Sequence, residues 1–222
     1  MKIAVVVSKF PTVSETFVIN QIVYLIDQGH DVTLLAYRKG DFTKIHQAVT
    51  DYGLLAKCMY FEKASPKRLN RFTQILKLLW NAKTINWSVF FRVFRNPKAW
   101  FDFKSAIYAQ WFLTNTFDLV HIHWAHNAKG VALLKEKKII DIPYLVTFHG
   151  SDIQPNLLNS YEDDYKQVLK HLSGVIVNTE YTKCLVKNIV PEDKILTLPV
   201  SLDTLKFKKD ENLKKSNDFK IL

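Results

Sequence analysis

Hydrophobic positions along this chain switch repeatedly between two spacings. Residues 2–7 read as an apolar, largely β-branched strand, the pattern of burial on both faces of a parallel sheet. Beyond them, Val18, Ile22, Leu25 and Ile26 fall on one helical face. Thr12 and Glu15 stand ahead of that face at capping-box spacing, and Gly29 stands where a helix closes on a left-handed residue. Residues 31–37 then predict a second strand, completing a β-α-β unit with Gly29-His30 as its tight return. A short helix with loop is expected over 41–56 and a third strand over 57–61. Residues 65–114 carry a helical pattern broken at Pro97. After them come a strand over 117–123, a small-residue helix over 128–138 and a strand over 142–148 entered through Pro143. The remaining elements are a helix over 161–171, a strand over 174–178, a helix over 180–189 and a last short strand over 195–198. This alternation specifies the α/β class, a parallel sheet with helices on both faces, and no solenoid-length repeat interrupts it.

The pattern lapses near the end. Residues 208–217 are charged and nearly free of apolar positions, as linkers are, and Phe219-Lys220-Ile221-Leu222 reads as the opening of a new strand. The expected organisation is one domain over 1–207, with 208–222 a linker and the start of a second domain.

Composition narrows the class. With 222 residues and 48% hydrophobic content the chain can bury a sizeable core. Cys58 and Cys184 lie far apart without a C-x-x-C, so a disulfide framework or zinc ribbon is not expected, and both read as plain buried thiols in a reducing compartment. The N-terminus lacks the features of a secretory signal, and no window approaches the roughly 18 apolar residues of a membrane span. The expectation is a soluble protein, or one attached to a surface.

The net charge of +10 is local. Between Lys63 and Trp111 ten basic residues face one acid, Asp102, and four of the five tryptophans lie in the same segment. Cations interleaved with Trp and Phe on amphipathic helices suit an anionic bilayer surface, where rings anchor at headgroup depth. Trp80, Trp87, Phe90, Phe91, Arg92 and Arg95 are the candidate membrane-surface residues. The same composition also fits a nucleic-acid face, or a solvated basic face over a packed apolar half.

Chemistry concentrates at two strand ends. The run His121-Ile122-His123-Trp124-Ala125-His126 closes one strand, and Thr147-Phe148-His149-Gly150-Ser151-Asp152 closes the next. In an open α/β sheet that edge is where ligands bind. The loop 8–17 has no glycine, so the dinucleotide fingerprint is absent, as are a P-loop and a G-x-S-x-G elbow. His121, His123 and His126 have H-x-H-x-x-H spacing, which overlaps the zinc-binding run of metallo-β-lactamase-like hydrolases, with Ala125 where that run has Asp. His121 and His123 share a strand face while His126 comes from the following turn, and a zinc site would need further ligands. A metal-dependent hydrolase using these three histidines is therefore a minor alternative. Ser14, Glu15 and Thr16 open a helix at the same edge, a place for an anionic group or simply a helix start.

Five ordered motifs carry a resemblance: residues 7–17, Gly29-His30-Asp31-Val32, residues 118–125, residues 146–152, and Leu198-Pro199-Val200-Ser201-Leu202-Asp203 with Phe207. Together they resemble the N-terminal half of a family 4 retaining glycosyltransferase of the GT-B architecture, in which two Rossmann-like domains face each other across a cleft. Ser14-Glu15 stands where many relatives have paired glycines, which resembles a polysaccharide-assembly subgroup. Leu202 replaces the usual glycine before the late Asp.

The resemblance implies transfer of a sugar from a nucleotide-sugar donor to a glycan or lipid-linked saccharide acceptor, with retained anomeric configuration. It implies that His123 is the catalytic histidine near the reacting centre, and that Ser14, Glu15, Thr16, His126, His149, Gly150 and Asp152 bind substrate. The nucleotide sugar is a substrate, so no cofactor is expected, and its main site would lie in a C-terminal donor-binding domain outside these residues. The chain alone would then be inactive. A cytoplasmic, peripheral-membrane location follows from the same resemblance, and nucleic acid is not expected as a partner. The competing class is a non-catalytic peripheral module, a Rossmann-like domain that binds membrane or saccharide.

Overall fold

The computed structural model describes residues 1–61, 68–81, 85–95, 108–154 and 165–200. Its centre is one seven-stranded, all-parallel sheet with strand order β3-β2-β1-β4-β5-β6-β7. The strands are β1 (Lys2–Phe10), β2 (Asp31–Lys39), β3 (Cys58–Tyr60), β4 (Leu119–His123), β5 (Tyr144–Phe148), β6 (Gly174–Val177) and β7 (Ile195–Thr197). The first strand lies between β2 and β4, so Val5 pairs with Leu34 on one side and His121 on the other. That reversal of strand order between β1 and β4 marks the C-terminal edge where open α/β sheets place their ligand crevice.

Strand alternation divides the core into two slabs. Ala4, Val6, Val120, Ile122, Val146 and Phe148 point into the larger one. It is covered by α3 (Arg68–Asn81), α4 (Trp87–Arg95), α5 (Gln110–Leu113), α6 (Lys129–Glu136) and α7 (Glu180–Val186), which supply Ile75, Val93, Phe112, Leu134 and Val186 among others. Ile3, Val5, Val7, Val32 and Leu34 point into the smaller slab, covered by α1 (Thr16–Asp27) and α2 (Gln47–Asp51) through Val18, Ile22 and Val49. On that second face the buried apolar cluster ends at β1. Across β4 and β5 the same face carries His121, His123 and Thr147 instead, all buried.

The ends of α1 show how local sequence sets an element. Gly29 adopts φ 81°, its N–H donates to Ile26 O, and His30 N–H donates to Leu25 O, which satisfies the last carbonyls of the helix. The expected capping box is not formed. Glu15 is the residue before the helix and makes no side-chain cap bond, while Thr12 lies farther back and donates its hydroxyl to Lys9 O at 3.0 Å. Strand β1 runs three residues past its expected end because Lys9 and Phe10 pair with Arg38 and Lys39.

The thiols also differ from expectation. Cys58 is half-buried on the short strand β3, and burial pushes its thiol up to about 11, whereas Cys184 is exposed on α7. Pro97 and residues 201–222, where a helix break, a linker and a new strand were expected, lie outside the described residues.

Candidate functional site

Three parallel strands deliver side chains to one edge of the crevice. From β4 come His121 and His123, from the end of β5 Thr147 and His149, and from β1 Ser8. His121 and His123 are two apart on one strand and therefore share a face. Their rings stack at 4.7 Å between centroids, and His123 stacks in turn on His149 at 5.2 Å. His123 Nδ1 lies 3.0 Å from His149 Nε2, so one proton serves both atoms. His121 Nε2 sits 2.7 Å from Thr147 Oγ1.

Burial holds these imidazoles neutral, because a charged ring would lose its hydration. His121 is lowered to about 4, by burial and then by His149. His123 is lowered well below the usual histidine value by burial, with His121 and His149 adding. His149 is lowered by burial against the opposing pull of Asp152. His123 is only 1% exposed, and its Nε2 has no hydrogen-bond partner among the described residues. Buried polar atoms are nearly always paired, so this nitrogen is a candidate ligand contact.

Asp152 fixes the two strand ends relative to each other. Its Oδ1 accepts from His149 N and its Oδ2 from Ala125 N, both at 2.9 Å. Gly150 makes the turn between them at φ 90°, a conformation suited to glycine. Asn127 is the matching tie to β1. Its Nδ2 donates to Ser8 Oγ at 2.8 Å and to His123 O at 2.7 Å, while its backbone carbonyl accepts from Tyr37 Oη.

Trp124 lies between these ties at φ 64° and ψ 125°, unusual for a bulky residue, and its ring packs 4.7 Å from His149. Phe17, from the first turn of α1, packs against both rings, at 4.8 Å from His149 and 6.3 Å from Trp124.

The anticipated site residues thus separate into groups. His123, His149, Gly150 and Asp152 come together in one hydrogen-bonded unit. His126 is exposed at its border, with Nε2 3.0 Å from Ser8 Oγ. Ser14 and Thr16 are exposed and Glu15 half-buried in the segment that opens α1, which reaches the histidines through Phe17. Burial raises the Glu15 carboxyl, with Lys9 and Thr12 opposing.

The three histidines of the metal alternative are directed to different partners. His121 is directed to Thr147, His123 to His149 and His126 to Ser8, and no group of three metal-ligating side chains occurs among the described residues. Ser8, Phe17, Trp124, Asn127 and Thr147 were not anticipated as site residues. Of these only Thr147 carried a signal, a polar residue near the end of an apolar strand; the others are joined to the site by contacts between distant parts of the chain.

The described residues of α3 and α4 in the basic aromatic segment lie elsewhere. Trp80 is 90% exposed, Trp87 57% and Phe91 59%, and Arg92 and Arg95 are exposed. Phe90 departs from expectation: it is half-buried and packs on the larger core slab, because it falls nearer the Val89 and Val93 stripe of α4.

Comparison with known proteins agrees with this architecture. The sequence profile of glycosyltransferase family 4 matches residues 14–204. A colanic acid biosynthesis glycosyltransferase so named, WcaL of Salmonella typhimurium, is 30% identical over 93% of this chain and 52% of its own length. The amylovoran biosynthesis glycosyltransferase AmsK of Erwinia amylovora is 26% identical over the same shares. The chain therefore spans about half the length of these curated relatives. Among solved structures, Anabaena HepE in complex with UDP and glucose shares the fold with a TM-score of 0.59 at 11% identity, over 95% of this chain and 47% of that one. The profile match over most of the sequence, on a parallel sheet of the matching architecture, establishes that the chain belongs to glycosyltransferase family 4.

Proposed function

We propose that this chain is the acceptor-side half of a retaining glycosyltransferase of polysaccharide assembly, moving a hexose from a nucleotide sugar to a glycan or lipid-linked saccharide. The observation that carries the reading is His123 Nε2, buried, uncharged and without a hydrogen-bond partner among the described residues, at the sheet's C-terminal edge. When His149 supplies the proton between the two rings, His123 keeps its own on Nε2 and donates it as a hydrogen bond to the donor sugar. As the bond from the anomeric carbon to the nucleotide's phosphate oxygen breaks, the electron pair leaves with the nucleotide and the sugar develops positive charge, which a neutral imidazole does not oppose.

His149 and Asp152 act in this scheme by position, since both Asp152 oxygens are occupied by backbone N–H groups. Ser14, Glu15, Thr16 and His126 form the polar border that meets the acceptor. The nucleotide would be held chiefly by a donor-binding domain beyond these residues, so the 222-residue chain alone is expected to be inactive.

The same reading includes docking on the inner face of a membrane. Each of α3 and α4 presents an outward pair four residues apart, Leu76 with Trp80 and Trp87 with Phe91, beside Lys77, Arg92 and Arg95. No helix among the described residues is long and apolar enough to cross a membrane.

The test continues this chain with a family donor-binding domain and measures nucleotide release from a panel of nucleotide sugars, with lipid-linked saccharides supplied. His123→Ala is expected to lower kcat on the order of 100-fold in protein that still folds, as read by a cooperative melting transition. An unaltered rate in that variant, or no transfer at all by the folded protein, would favour a non-catalytic saccharide- or membrane-binding module.

A further inference from the structure

The N-terminal edge of the sheet, remote from the histidines, carries a second built feature. There the turn between α6 and β5 and the flank of α4 form an open, shallow cavity of about 360 Å³ lined by Arg92, Lys135, Lys138, Ile140 and Asp141. Three cations face one carboxylate. Lys135 is already engaged, with Nζ donating to Ile142 O at 3.0 Å and lying 3.8 Å from Asp141 Oδ1. Arg92 and Lys138 pair with no carboxylate among the described residues, leaving the cavity with two uncompensated positive charges.

Lys138 is held there under backbone strain. It is the residue after the C-cap of α6, at φ 56°, with its N–H donating to Lys135 O and Ile139 N–H donating to Leu134 O, both at 2.9 Å. This closing motif usually ends on glycine, which adopts the left-handed conformation without the clash of a Cβ. A lysine in that place puts an ammonium at the cavity at a steric cost. On α4, Arg92 lies between the buried Val89 and Val93 and the exposed Phe91, so the cavity opens beside the exposed aromatic face.

We propose that this cavity binds the phosphate of an anionic phospholipid headgroup, with Arg92, Lys135 and Lys138 as its ligands. The guanidinium fork and the ammonium charges match phosphate oxygens, and the volume lies at the small end of ligand sites, suited to a headgroup. Trp87 and Phe91 point to a lipid source, because rings at headgroup depth would bring the adjoining cavity to the level of the phosphates. The inference rests on the membrane reading above.

Two measurements on the 222-residue chain separate the cavity from general surface attraction. Nuclear magnetic resonance titration with glycerol 3-phosphate is expected to give saturable shifts at the amides of residues 138–141, abolished in Lys138→Gln; no saturable shift there overturns the site. In sedimentation with phosphatidylglycerol vesicles, Arg92→Gln and Lys138→Gln are each expected to weaken binding ~10-fold or more. Arg95→Gln, a charge-matched change on the outer face of α4, is expected to weaken it only ~5-fold. Equal losses in all three variants overturn the cavity and leave membrane docking standing. Glycerol 3-phosphate shifts without any vesicle binding overturn the lipid source and the membrane reading together.

Discussion

The imidazoles of His121, His123 and His149 each bind a proton more weakly in the folded chain than in the unfolded one, and burial is the main cause. The sign of the linkage follows. Above the ordinary histidine value of 6.5 all three are neutral in both states and stability is complete; as pH falls through 6.5 the unfolded chain takes up protons that the folded chain refuses. His121 alone then contributes a loss on the order of 3 kcal/mol by about pH 4, its folded value. The urea midpoint is expected to drop clearly between about pH 7 and about pH 5, with a shallower drop in His121→Leu. A midpoint unchanged over that interval would contradict a neutral stack. At this scale the motif residues were legible, because a histidine closing an apolar strand is conspicuous in any sequence. Ser8 and Asn127 were not, since the bond joining them spans a separation of 119 residues.

Helix α4 shows what an element adds to its residues. Phe90 and Phe91 are adjacent in sequence and alike in composition, but about 100° apart around a helix. Phe90 consequently packs on the core while Phe91 is 59% exposed. Phe90→Ala is expected to destabilise the fold by about 2 kcal/mol, and Phe91→Ala to stay within about 0.5 kcal/mol, as read by chemical denaturation. Equal effects would mean that the helix is rotated from this orientation. The start of α1 carries the converse lesson. Thr12 and Glu15 have capping-box spacing, but the box needs the helix to begin just after Thr12, and β1 extends through Phe10 to pair with β2 before the chain turns.

For the molecule as a whole, the placement of charge separates two tasks. The histidine site lies at the C-terminal edge between β1, β4 and β5, and the basic aromatic helices pack on the larger core slab with Lys77, Arg92 and Arg95 exposed. Binding to anionic vesicles is therefore expected to fall steeply as salt shortens the screening length to about 10 Å at 0.1 M, leaving a residual contribution from Trp80, Trp87 and Phe91. Equal sedimentation with neutral and anionic vesicles at low salt would remove the membrane from the picture.

By itself, the amino-acid sequence determined the α/β class, the order and type of the strands and helices among the described residues, and the two histidine-bearing strand ends, because these depend on local period and on residue types at short spacing. Tertiary structure alone decided that the β1, β4 and β5 ends meet at a reversal of strand order, that Asp152 and Asn127 brace them, and that His123 is buried with one nitrogen unpaired among the described residues. It also decided which aromatics of the basic segment face outward and that Arg92 shares a cavity with Lys138. Those features are contacts between residues far apart along the chain, and only packing the two core slabs against one sheet selects them.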